Sequence, residues 1–193
     1  MSASVASATT VSSSTNTASA LRRALVALYV GVAAAVALAA ITAFVTTTPD
    51  EGAFHHIGDY FLTATGIPYV VALVMLLHAM RELQDRRDGR IGLVGMAFAG
   101  VGSITLLAIF VSGLIAATSS SWGPTYVLAS LATIIGVVLF AIGSGRGQLL
   151  PKWLLVGWPI AWAVGSMLPI SGPGPLLLAA VYIAMAVVLR KRR

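Results

Sequence analysis

The chain has 193 residues, of which 58% are hydrophobic and only 9% charged, with a net charge of +6. A soluble domain of that length cannot hide so much apolar surface behind so few charges, whereas a bilayer removes it from water at no cost. The bases stand at the ends of apolar runs and not on an aromatic-laced surface, which argues against a nucleic-acid partner. Cysteine is absent, which excludes disulfides, thiol nucleophiles and Cys-ligated metals.

Residues 1–21 are mostly Ser, Thr, Ala and Val, and are expected to form a disordered tail before a membrane domain at 22–193. Arg22 and Arg23 precede an uncharged run at 24–45. That run is too long for a signal-peptide core of roughly 7–15 residues and long enough to cross a bilayer. Gly31, Ala35, Ala39 and Ala43 recur along it every fourth residue, a small-residue face that a neighbouring helix can approach closely. Thr48-Pro49-Asp50-Glu51 then carries the signals of a helix start, and predicts an interfacial helix over 49–57.

A second span is expected over 60–80, bent by Pro68 and separated from the interfacial helix by Gly58. The dense charged block 81–90 follows, and then a third span over 91–117 in which Gly95, Ala99 and Ser103 repeat the small-residue spacing. The fourth span is placed at 125–142, after the loop containing Trp122-Gly123-Pro124. Pro151 opens a fifth at 153–170, which carries Trp153, Trp158 and Trp162. A sixth at 173–189 ends in Arg190-Lys191-Arg192-Arg193.

The fold class expected is all-α, a bundle of six transmembrane helices in the plasma membrane with both termini cytoplasmic. In that arrangement all 12 Lys and Arg residues fall on cytoplasmic segments, as the positive-inside rule requires. Asp50, Glu51 and Asp59 fall outside.

No Asp, Glu, Lys or Arg lies within a predicted span, which speaks against a proton-coupled transporter and an intramembrane acid–base enzyme. Serines and threonines inside the spans can bond to their own helix backbone. The one concentrated group is outside. If 49–60 were helical, Glu51, His55 and Asp59 would share one face with His56 beside them, a set able to bind a divalent metal or act as an acid–base pair. The plainer alternative is a solvated interfacial helix with Glu51 and Asp59 as caps. His78 lies about 22 helical residues from the other histidines, roughly 33 Å, so they cannot share a haem. Trp158 and Trp162 share a face near mid-span. With Pro68 and His78 they are the candidates for lining an apolar ligand cavity, against a simple packing role.

Several short motifs carry a resemblance. They are His56 to Asp59, Asp88-Gly89-Arg90-Ile91-Gly92, Trp122-Gly123-Pro124, Pro151-Lys152-Trp153 and Gly172-Pro173-Gly174-Pro175. Through them, residues 22–193 resemble a group of small six-helix membrane proteins common in high-GC Gram-positive bacteria. The resemblance implies the architecture and carries no activity. The leading expectation is a non-enzymatic bundle that binds an apolar ligand, a membrane lipid, a partner membrane protein or its own copies. The alternatives are a small transporter or channel for a neutral or lipophilic solute, and an enzyme acting on a lipid or isoprenoid through His55, His56 and Asp59.

Overall fold

The computed structural model describes residues 3–47, 52–119, 123–167 and 174–191. It is all-helical, with six helices: α1 (Ala3–Phe44), α2 (Ile57–Leu83), α3 (Gly89–Ala116), α4 (Gly123–Ser144), α5 (Lys152–Met167) and α6 (Gly174–Arg190). Four stretches, Thr17–Phe44, Ile57–Leu83, Gly89–Ala116 and Gly123–Ser144, are long and apolar enough to cross a membrane. At 1.5 Å per residue, the 16 residues of α5 and the 17 of α6 reach about 24–26 Å.

Three expectations differ from what the structure describes. The Ser/Thr/Ala-rich stretch predicted to be disordered is helical from Ala3 and continuous with the first apolar run. It contains neither Gly nor Pro, so no residue in it forces a helix to end, and Ala20 is already buried in the bundle. The interfacial helix predicted over 49–57 does not form where the chain is described. Residues 48–51 lie outside the described residues, and 52–56 are not helical. Gly58, expected to separate two helices, lies inside the first turn of α2, where an added Cβ would collide with the Thr46 carbonyl oxygen.

Each helix packs against its neighbours in chain order, and α6 returns to α1, closing a ring. Trp162 of α5 stacks on Tyr69 of α2 across the middle, with ring centroids 4.8 Å apart. The closest approach is between α3 and α4. Gly92, Gly95, Ala99 and Gly102 form a stripe with alternating spacings of three and four, which keeps it on one helix face. That stripe meets Ala129, Thr133, Gly136 and Gly143, and added Cβ atoms at Gly95, Gly102 and Gly136 would strike backbone atoms of the opposing helix. The small-residue face predicted at Gly95, Ala99 and Ser103 is therefore an interface, with all three residues buried. The stripe on α1 behaves less uniformly. Gly31 sits against the Tyr182 ring and Ala35 is buried, whereas Ala43 is exposed.

Backbone carbonyls four residues earlier accept from several hydroxyls as expected, including Thr65 to Phe61 at 2.7 Å and Thr133 to Ala129 at 2.9 Å. At one end of the ring, the link before α2 pairs with the link after α3. Phe54 N–H donates to the Ala117 carbonyl at 2.8 Å, and Ser119 N–H donates to the Gly52 carbonyl at 2.8 Å. Ala117, left-handed at φ 49°, turns the chain into this pairing. The described bases gather at the other end, where Arg23 of α1 pairs with Glu82 of α2 at 2.5 Å and Arg190 of α6 covers the Tyr29 ring at 5.3 Å.

Candidate functional site

Asp59 is the buried member of the histidine cluster, and its surroundings explain why. Helix α2 starts at Ile57 with His56 in an extended conformation at the N-cap. The first turn of a helix leaves amide N–H groups without intrahelical acceptors. Asp59 Oδ2 turns back and accepts from the amides of His55 at 3.0 Å and His56 at 2.9 Å. This is the acidic half of a capping box, with the carboxylate also favoured by the helix dipole. The carboxylate that would have held a metal is thus committed to backbone. Phe54 packs edge-on against Tyr60 at 4.9 Å beside it, and both histidine side chains belong to a link without helical periodicity. Glu51 lies outside the described residues. Among the described residues, no group of three His, Asp or Glu side chains is placed to hold a metal ion.

The capping role makes a definite prediction. Asp59→Ala should lower the stability of the detergent-solubilised protein by about 1–2 kcal/mol, the usual cost of losing a cap. It should do so equally with and without added Zn²⁺, as read from the midpoint of thermal unfolding at both conditions.

The tryptophans sit elsewhere. Trp158 and Trp162 are completely buried at the centre of the ring. Trp162 lies flat on Tyr69, and Trp158 meets the edge of Phe140 at a centroid distance of 6.1 Å. Their ring faces are filled by other aromatics, as in a packed core. Two polar ring atoms there, Tyr69 Oη and Trp162 Nε1, are nonetheless buried without a hydrogen-bond partner among the described residues. Each such donor costs about 1–3 kcal/mol when left unmatched, and a carbonyl or ether oxygen would relieve it. Pro68, one residue before Tyr69, lies inside α2, which continues through it to Leu83. Pro68 has no N–H, so one carbonyl in the preceding turn loses its usual donor. His78 is not with these residues. Its side chain is 64% exposed at the basic end, with Nε2 3.3 Å from Glu82 Oε1.

The group that sequence reasoning missed is at the α2–α3 turn. Asp88 is wholly buried, and its Oδ1 stands 3.8 Å from Nε of Arg81, whose side chain is only 16% exposed. The Gln84 amide and the Ser144 hydroxyl are also buried and without hydrogen-bond partners among the described residues. Glycines allow this fit: Gly92 and Gly143 pack around Asp88, and Gly147 lies against the Gln84 side chain. The signal was present in the sequence as a charged block followed closely by Gly89 and Gly92 and facing the Gly-rich 143–147 loop.

No protein-family model, characterised protein or solved structure was found to match this chain.

Proposed function

We propose that this chain is an integral membrane protein of the plasma membrane that crosses the bilayer six times with both termini cytoplasmic. It acts without catalysis, as a bundle that binds a lipid, another apolar ligand or a partner membrane protein. One observation carries the reading. The described charged side chains stand at the ends of the ring, while among the described residues the space between is filled by aliphatic, aromatic and small hydroxyl side chains with no carboxylate, Lys, Arg or His. Proton-coupled transport and acid–base catalysis at depth both require such a group, whereas binding an apolar molecule does not. The Tyr69 and Trp162 donors, unmatched among the described residues, favour a ligand that carries an acceptor oxygen. The enzyme reading loses support because Asp59 is occupied as a cap. The short helices α5 and α6 span with local thinning of the bilayer or snorkelling of terminal bases.

The absence of native cysteine makes the topology directly testable. In intact cells, Ser120→Cys should react with a membrane-impermeant maleimide, and Gln148→Cys should react only after the membrane is opened. The reverse pattern, or equal labelling of both, would overturn the orientation. Native mass spectrometry of the purified protein should show a retained lipid, apolar ligand or partner. Bare monomer alone would overturn the binding role.

A further inference from the structure

The basic end of the ring is not electrically uniform. Its acids, Glu82, Asp85 and Asp88, all belong to the α2–α3 side. Residues 89–193 contain no Asp or Glu at all, yet they carry Arg90, Arg146, Lys152 and the four bases at 190–193. Two clefts open at this end, and they differ in the same sense. The smaller, about 320 Å³, has Arg22 and Arg23 on its rim with Val26 and Met75 below. There Glu82 already pairs with Arg23.

The larger cleft, about 450 Å³, lies between the α4–α5 link and the end of α6. Gln148 and Lys152 stand on its rim, with Leu150, Pro151, Leu155 and Val188 forming its apolar part. Arg146, exposed in the same link, turns its guanidinium toward Gly89 at the α2–α3 turn and does not line the cleft, whereas Lys152 lines it and forms no ion pair among the described residues. Trp153, the next residue of α5, is 61% exposed, and an exposed indole beside a basic rim suits the headgroup level of a bilayer. Leu155 and Val188 are then placed where acyl chains begin.

We infer that this cleft holds an anionic phospholipid of the leaflet facing the basic end. The phosphate sits against the Lys152 ammonium, the Gln148 amide faces the headgroup, and an acyl chain runs over Leu155 and Val188. The compensated Arg22–Arg23 cleft has no comparable preference. This inference deepens the membrane-bundle reading above and rests on it.

The test uses the full chain in nonionic detergent, titrated with phosphatidylglycerol or phosphatidylcholine of identical acyl chains and followed by native mass spectrometry. Phosphatidylglycerol should be retained in preference. A base near a lipid surface contributes about fivefold in affinity, so Lys152→Gln should weaken retention about fivefold and Arg146→Gln, outside the cleft, by clearly less. Arg22→Gln should leave retention unchanged, and millimolar inorganic phosphate should not displace the lipid. Equal retention of the two lipids would overturn the inference. So would an equal loss in Arg22→Gln, or displacement by phosphate alone. The maleimide pattern of Ser120→Cys and Gln148→Cys, set beside the lipid preference of the parent chain, separates the orientation from the lipid site. A normal pattern without lipid preference sinks this inference alone. A reversed pattern with the preference intact sinks the orientation and leaves the lipid site standing.

Discussion

Replacing Gly136 with Leu is expected to abolish most of the folded protein, at a cost of about 3 kcal/mol or more. The reason lies in how α3 and α4 meet. A first side-chain atom at position 136 would run into the Ala99 amide nitrogen and the Gly95 carbonyl oxygen, which are backbone atoms of the opposing helix. A clash with a flexible side chain can be relieved by a rotamer change, but this one requires the helices to separate. Inside a bilayer that separation is costly, because association there depends on close van der Waals packing and not on exclusion of water. The whole stripe would lose contact, including Gly92 against Gly143 and Gly102 against Thr133. Gly100, on the same helix, meets nothing within 4 Å at the place where a Cβ would stand. Gly100→Ala should therefore stay within about 1 kcal/mol of the parent, since only helix propensity changes. Recovery of monodisperse protein in detergent, followed by thermal unfolding, compares the two. Equal recovery of Gly136→Leu and Gly100→Ala would mean that α3 and α4 do not pack in this way.

That interface was legible from residues alone because it depends on spacing within single helices. Gly95, Ala99 and Ser103 share a face whatever else the chain does, and a bilayer-length apolar run gives the helix they need. The helix limits followed for the same reason. The expected third and fourth spans, 91–117 and 125–142, fall within about two residues of Gly89–Ala116 and Gly123–Ser144.

The link before α2 was not legible. Thr48-Pro49-Asp50-Glu51 has good local helix chemistry, but residues 52–54 are held by 117–119, about 65 positions along the chain, through Phe54 to Ala117 and Ser119 to Gly52. A pairing of that range leaves no periodic trace. With 52–56 not helical, His55 and Asp59 do not share a helix face, and the spacing argument for a metal loses its basis. Asp59 was readable differently, as an acid in the first turn of an apolar run with its own backbone to satisfy.

Asp88→Asn should cost about 3–5 kcal/mol, although it removes only a charge and keeps the size of the side chain. A block as dense as Arg81 to Arg90 reads as solvated, and most of it is exposed. Asp88 is its one buried charge, with Gln84 buried beside it. Two helices and a glycine-rich link enclose it, and the Arg81 guanidinium is the counter-charge beside it. Losing the carboxylate leaves Arg81 largely buried without a counter-charge, and that uncompensated cation is the larger part of the expected cost. Loss of a helix cap does not account for it. Asp88 makes no side-chain cap bond to α3, and Asn caps a helix as well as Asp does. Removing both charges should therefore be milder than removing one. Asp88→Asn combined with Arg81→Met is expected to recover more than about 1 kcal/mol relative to the sum of the single variants, the signature of a coupled pair. Chemical unfolding of all four proteins in one detergent gives the cycle. If the single and double effects simply add, Arg81 and Asp88 are independent, and the α2–α3 turn is held by its glycine contacts alone.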